Sequence, residues 1–223
     1  VSGSLLTAAG PGLAAERASV APRRIGMLGG TFDPPHLGHL WLGAMAADAI
    51  GLDRVLFVPA AQPPHKSGQL VTRAADRMLM TRLAIATDPA FELSGIELER
   101  AGPSYTIDTV EQLQQLYGSE TRLFLIMASD SLGSIDSWRE PDRLLERVEW
   151  VVGPRPGTPL PDRATLERRF GADASRILLL DGPSLDVSSS AIRRRVAGGH
   201  TIRYLVPRGV EELIVERGLY RRG

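Results

Sequence analysis

The sequence predicts an α/β fold: a doubly wound, mainly parallel sheet with helices on both faces and a small helical C-terminal part. Three observations lead there. Short apolar runs alternate with longer helical patterns, which requires right-handed crossovers between parallel strands. Most of those runs are β-rich and nearly continuous in apolar character, as strands covered on both faces must be. The residues with chemical potential follow the runs, where an open parallel sheet binds ligands.

The first strand, "RIGML", begins at Arg24 and stops at Gly29-Gly30. Further strands are "RVLFVP" (54–59), "FELSGI" (91–96), "RLFLIMA" (122–128), "VEWVV" (148–152) and "RILLL" (176–180). Between them, helical patterns cover 37–50, 73–87, 105–117, 141–147 and 163–170. Two more helices are expected near 189–197 and 207–217. "AGGH" stops the first, and Pro207 stands at the first position of the second. "GPRPGTPLPD" (153–162) reads as a Pro/Gly-rich surface loop.

With 223 residues, 43% hydrophobic and 23% charged, the chain suits one domain with a sizeable core. Lysine plus arginine equals aspartate plus glutamate at 26 each, so nucleic acid is not the expected partner. The absence of cysteine excludes disulfides and thiolate metal sites, and suits the cytoplasm. No apolar run is long enough to span a bilayer, so no membrane partner is expected. Residues 1–22 are Ala/Gly/Ser-rich and lack the features of a signal peptide. They read as a disordered extension before a single domain, 23–223.

Five motifs carry chemistry. "GGTFDPPHLGH" follows the first strand. Gly29 and Gly30 permit close backbone approach to a ligand, and Pro34-Pro35 stiffen a helix entry. His36 and His39 then share one face at a helix start, a place suited to polyphosphate. The stretch is neither a G-x-G-x-x-G fingerprint nor a P-loop nor a zincin. A metal site from His36, His39 and Asp33 lacks a specified fourth ligand. "VSSSAIRRR" (187–195) offers Ser188, Ser189, Ser190 and Arg193 as an oxyanion cradle, or only an N-cap with a solvated basic face. "PPHKSG" presents His65 and Lys66 on a rigid turn, or is a plain surface loop. In "GPSYTIDT", Ser104 reads as an N-cap and the amides of Tyr105 and Thr106 can face a small carboxylate. In "ASDSLGSIDSWRE", Asp130 is placed to accept from ribose hydroxyls, and Trp138 stacks on a ring or packs in the core.

Taken together, these residues resemble the nucleotidyltransferase superfamily with the H-x-G-H signature, here His36-Leu37-Gly38-His39. Within it they are similar to the bacterial nicotinate-mononucleotide adenylyltransferase family. "GGTFDPPHLGH", "VPAAQPPHK", "PSYTIDT", "SDSLGSIDSW" and "VSSSAIR" resemble that family's motifs in the same order, over Arg23 to Arg222. Ala128 stands where a glycine is usual, and Ser190 where a threonine is usual.

The resemblance implies a Rossmann-like fold and adenylyl transfer from ATP to nicotinate mononucleotide, giving deamido-NAD and pyrophosphate in NAD biosynthesis. It implies that His36, His39 and Arg193 serve catalysis. Gly29, Gly30, Thr31, Phe32, Lys66 and Ser188 to Ser190 would bind ATP, with Mg²⁺ carried on its phosphates and no metal held by protein side chains. Tyr105, Thr106, Asp130 and Trp138 would bind the mononucleotide. Rival readings are a sister enzyme acting on nicotinamide mononucleotide or phosphopantetheine, and a non-catalytic nucleotide-binding module. A homo-oligomer stays open.

Overall fold

In the computed structural model, which describes residues 24–63 and 71–221, six strands form one sheet. They are β1 (Arg24–Gly30), β2 (Arg54–Pro59), β3 (Phe91–Leu93), β4 (Arg122–Ala128), β5 (Glu149–Gly153) and β6 (Ile177–Leu179). Every neighbouring pair is parallel, in the order β3-β2-β1-β4-β5-β6. The sequence therefore runs outward from β1 in one direction, then returns to its other side. That reversal puts the switch point between β1 and β4, where Leu28 pairs with Ile126.

Among the described residues, eight α-helices connect and cover the strands: α1 (Leu37–Ile50), α2 (Ala74–Ile85), α3 (Thr106–Tyr117), α4 (Ser129–Gly133), α5 (Pro141–Arg147), α6 (Arg163–Phe170), α7 (Ser189–Ala197) and α8 (Arg208–Glu216). Alternation along each strand divides the core into two layers. Ile25, Met27, Leu56, Leu125, Trp150 and Val152 face α3, α5 and α6. Leu28, Val55, Phe57, Phe124, Ile126 and Val151 face α1, α2, α7 and α8. Both faces are thus covered, as the continuous apolar strands require.

The observed elements follow the expected ones closely, with differences at short segments. The third strand ends at Leu93 instead of Ile96: Ser94 N–H to Phe57 O is its last bond to β2, and the chain then turns. The five-residue α4 and the 3-10 turns at Ile135–Ser137 and Gly171–Arg176 are too short to show a helical period. The extension 1–22, together with His65 and Lys66, lies outside the described residues. Among the described residues no helix is long and apolar enough to cross a membrane.

The chain's end is tied back beneath the first turn. Asp76 on α2 pairs with Arg217 just after α8. The Tyr220 hydroxyl donates to Asp33 Oδ1 at 2.6 Å, and Thr72 N–H donates to Asp33 Oδ2 at 3.2 Å. Asp33 is buried, so these two donors are what keep its carboxylate from being orphaned there.

Candidate functional site

A cavity of about 510 Å³ opens at the carboxyl ends of β1 and β4. The backbone of Gly29, Gly30 and Thr31 forms one wall. Gly29 faces open space, whereas a side chain at Gly30 would press on the Phe32 ring at 3.1 to 3.3 Å. Gly30 is therefore there for Phe32, and Gly29 for whatever fills the cavity. Phe32 itself does not line the cavity. It adopts a left-handed φ of 49° that drives its ring into the core, 1% exposed and edge-on to His39.

His36 is the N-cap of α1 in extended backbone, and His39 lies one turn on. Their rings stack at 3.7 Å, and both line the cavity. His36 N–H donates to His39 Nδ1 at 3.2 Å, so neutral His39 carries its proton on Nε2. Burial, reinforced by the nearby Arg155 guanidinium, lowers the His36 pKa to about 4. Burial thus makes His36 a neutral imidazole near pH 7.

The serine motif caps α7. Ser188 Oγ accepts from Ala191 N–H, and Ser189 Oγ donates to Pro34 O at 2.8 Å. All three serines line the cavity opposite the glycine turn. Arg193 does not: it donates to Asp33 O at 2.7 Å and to Ser190 Oγ at 3.2 Å. Its guanidinium fastens the first turn to α7, so an open cationic claw on phosphate is not its resting arrangement.

At the cavity's other end, Tyr105 is the N-cap of α3. Ser104 is not, because its hydroxyl is taken by Ala61 N–H and Gln62 N–H at 2.9 and 3.2 Å. Tyr105 N–H donates to Pro103 O, which leaves Thr106 N–H as the first helix amide, a position with no intrahelical acceptor. Tyr105, Thr106, Asp130 and Trp138 all border the cavity. Trp138 also packs on the core, as the second of its two expected roles requires. Arg139 lies 4.8 Å over the Tyr105 ring.

Arg155 and Glu97 are among the lining residues that escape the sequence reading. Arg155 follows β5 in the loop read as plain surface. It lies 3.7 Å from Asp130 on α4 and donates to Val187 O just before α7, bridging the ends of β4 and β5 to the serine motif. Its place after a strand was the available signal; the Pro/Gly composition hid it. Glu97 follows β3 and is 7% exposed. Burial pushes its carboxyl above the ordinary value, against the opposing pull of Thr109, Ser104, Arg100 and Arg77. Among the described residues no cluster of three or more metal-ligating side chains occurs.

A parallel sheet with an H-x-G-H helix at its switch point places the chain in the cytidylyltransferase-like class, and residues 27–195 match that family. Closer relatives narrow the class. A Thermomicrobium roseum protein named "probable nicotinate-nucleotide adenylyltransferase" is 43% identical, covering 89% of this chain and 92% of its own. A Symbiobacterium thermophilum protein of the same name is 45% identical, with 90% and 96% covered. The chain belongs to the nicotinate-nucleotide adenylyltransferase family. In fold it is similar to the Plasmodium falciparum nicotinic acid mononucleotide adenylyltransferase solved with NaAD, at a TM-score of 0.75 and 18% identity, covering 89% of this chain and 97% of that one.

Proposed function

We propose that the protein transfers the adenylyl group of ATP to nicotinate mononucleotide, forming deamido-NAD and pyrophosphate. One observation carries the reading: a single cavity joins the histidine–serine end, suited to polyphosphate, to an end with its own amide and aromatic groups. A sensor of ATP alone has no use for the second end.

In the reaction, a phosphate oxygen of the mononucleotide attacks the α-phosphorus of ATP. The bond from that phosphorus to the bridging oxygen of the β-phosphate breaks, and pyrophosphate leaves. No residue of the chain forms a covalent intermediate, so the protein's work is orientation and charge stabilisation. His39 Nε2–H donates to the α-phosphate as negative charge grows there. The His36 ring stacked on it holds it in place. The serines at the start of α7, with that helix's first amides, hold the outer phosphates. Arg193 keeps α7 registered on the first turn, and the substrate's charge draws it inward. Mg²⁺ enters as part of the substrate, MgATP, held by phosphate oxygens and water.

At the acceptor end, Trp138 stacks on the nicotinate ring and Asp130 orients the ribose. Thr106 N–H reads the ring carboxylate. An amide acceptor would turn its NH₂ toward that donor and leave a donor unpaired, which favours the acid. Phosphopantetheine has neither ring nor carboxylate to engage these groups. The cysteine-free composition fits action in the cytoplasm.

The test is pyrophosphate release from MgATP with nicotinate mononucleotide, nicotinamide mononucleotide or phosphopantetheine. The acid mononucleotide should give the highest kcat/KM. Preference for the amide would remove the carboxylate-reading role, and no turnover with any acceptor would favour a binding module.

A further inference from the structure

Glu97 has no part in the mechanism above, yet its carboxylate is buried, borders the cavity and ends a network joining three segments. Thr109 Oγ1, on the first turns of α3, donates to Glu97 Oε1 at 2.7 Å. Ser104 Oγ already accepts from Ala61 N–H and Gln62 N–H, which fills both its lone pairs. Its hydroxyl also neighbours Glu97 and opposes the upward shift of that carboxyl. Ser104 N–H donates in turn to Gln62 O at 3.0 Å. On the far side of the same strand exit, Arg77 donates to Ala61 O at 3.3 Å and to Thr31 O at 2.8 Å. Arg100 completes the set, donating to Thr109 Oγ1 and to Tyr105 O.

We infer that Glu97 is a positioning residue for the acceptor substrate: by accepting from Thr109, beside the Ser104 hydroxyl that binds Ala61 and Gln62, it fixes the start of α3 against the segment leaving β2. Tyr105 and Thr106 are carried on that helix start, and Ala60 and Pro63 on the facing segment, and all four border the cavity. The carboxylate acts through these walls. It has one oxygen for the Thr109 hydroxyl and a second for the neighbouring Ser104 and Arg100 groups, all of them donors, so Glu97→Gln turns an NH₂ toward a donor. The inference rests on the acceptor being nicotinate mononucleotide.

The experiment measures KM for each substrate, kcat and the melting temperature for the unaltered protein, Glu97→Gln, Thr109→Val and Thr109→Ser. Glu97→Gln and Thr109→Val should each raise the mononucleotide KM about tenfold, the equivalent of one lost charge-assisted hydrogen bond, and leave the ATP KM within about twofold. Thr109→Ser, which keeps the hydroxyl, should restore the acceptor KM. Equal rises in both KM values, failure of both Glu97→Gln and Thr109→Val to fold, or no rescue by serine would mean a purely structural network and overturn the inference. A lower acceptor KM in Glu97→Gln would overturn it in the other direction, showing that the carboxylate only repels the substrate. If the unaltered protein turns over ATP with another acceptor and not with nicotinate mononucleotide, the parent reading falls and this one with it. Normal turnover with unchanged acceptor KM in the variants overturns this inference alone.

Discussion

Gly38→Ala separates catalytic placement from folding. Gly38 is the second residue of α1, between the two histidines. A Cβ there would lie 3.1 Å from His36 Nδ1 and 3.2 Å from its Cε1, a few tenths of an ångström inside ordinary contact. The His36 ring is 2% exposed and stacked 3.7 Å from His39, so it yields only by pushing its partner. For stability, alanine gains about 0.5–1 kcal/mol of helix propensity and loses about 1 kcal/mol or more to crowding. The net is small, and the melting temperature should move by no more than about 2–4 °C. For catalysis, a reacting geometry tolerates about 0.5 Å, and a 1 Å misplacement costs about 10²-fold. A shift of a few tenths of an ångström scales to a fall in kcat of about 3- to 10-fold at saturating substrates, measured as pyrophosphate release beside a thermal melt. Normal kcat would refute the claim that the stacked histidine pair is a tightly placed catalytic unit. Loss of activity together with a collapsed melt would refute it as well, by making Gly38 a folding residue.

Other predictions concern charge, stacking and anchoring. The fold holds His36 neutral, with its pKa lowered from 6.5 to about 4, so it disfavours the imidazolium by about 3 kcal/mol. Between those values the unfolded chain binds the proton more readily. This contribution is full above pH 6.5 and lost as pH falls toward 4. Urea unfolding across that range should show a shallower decline in His36→Asn, and an identical slope would clear His36 of the effect. Trp138→Ala should raise the mononucleotide KM far more than the ATP KM; equal changes would mean a structural tryptophan. Tyr220→Phe removes one of two donors from buried Asp33 and should cost about 1–3 kcal/mol in chemical denaturation. An unchanged midpoint would show that Asp33 finds another donor.

Much of the fold was legible because each strand and long helix carries its own period. The helices at 37–50, 141–147, 163–170 and 189–197 and the strands at 54–59 and 122–128 lie where the patterns put them. The site was legible as a set of residues but less so as a set of roles. Ser104 reads locally as a cap, yet its oxygen is claimed by amides 42 and 43 residues away. Arg193 reads as a free cation, yet it is spent on a carbonyl 160 residues distant. Neither choice can be read from neighbours in sequence. The lowered pKa of His36 likewise comes from burial and from Arg155, far along the chain. Arg155 shows the opposite error, where loop composition concealed a position that topology would have flagged.

The central claim, direct adenylyl transfer within one cavity, is tested by following ATP radiolabelled on its α-phosphate. With nicotinate mononucleotide and Mg²⁺, all the transferred label should appear in deamido-NAD, equimolar with pyrophosphate, and none should stay bound to denatured protein. Label retained covalently on the protein, or ATP bound with no label in the dinucleotide, would contradict it.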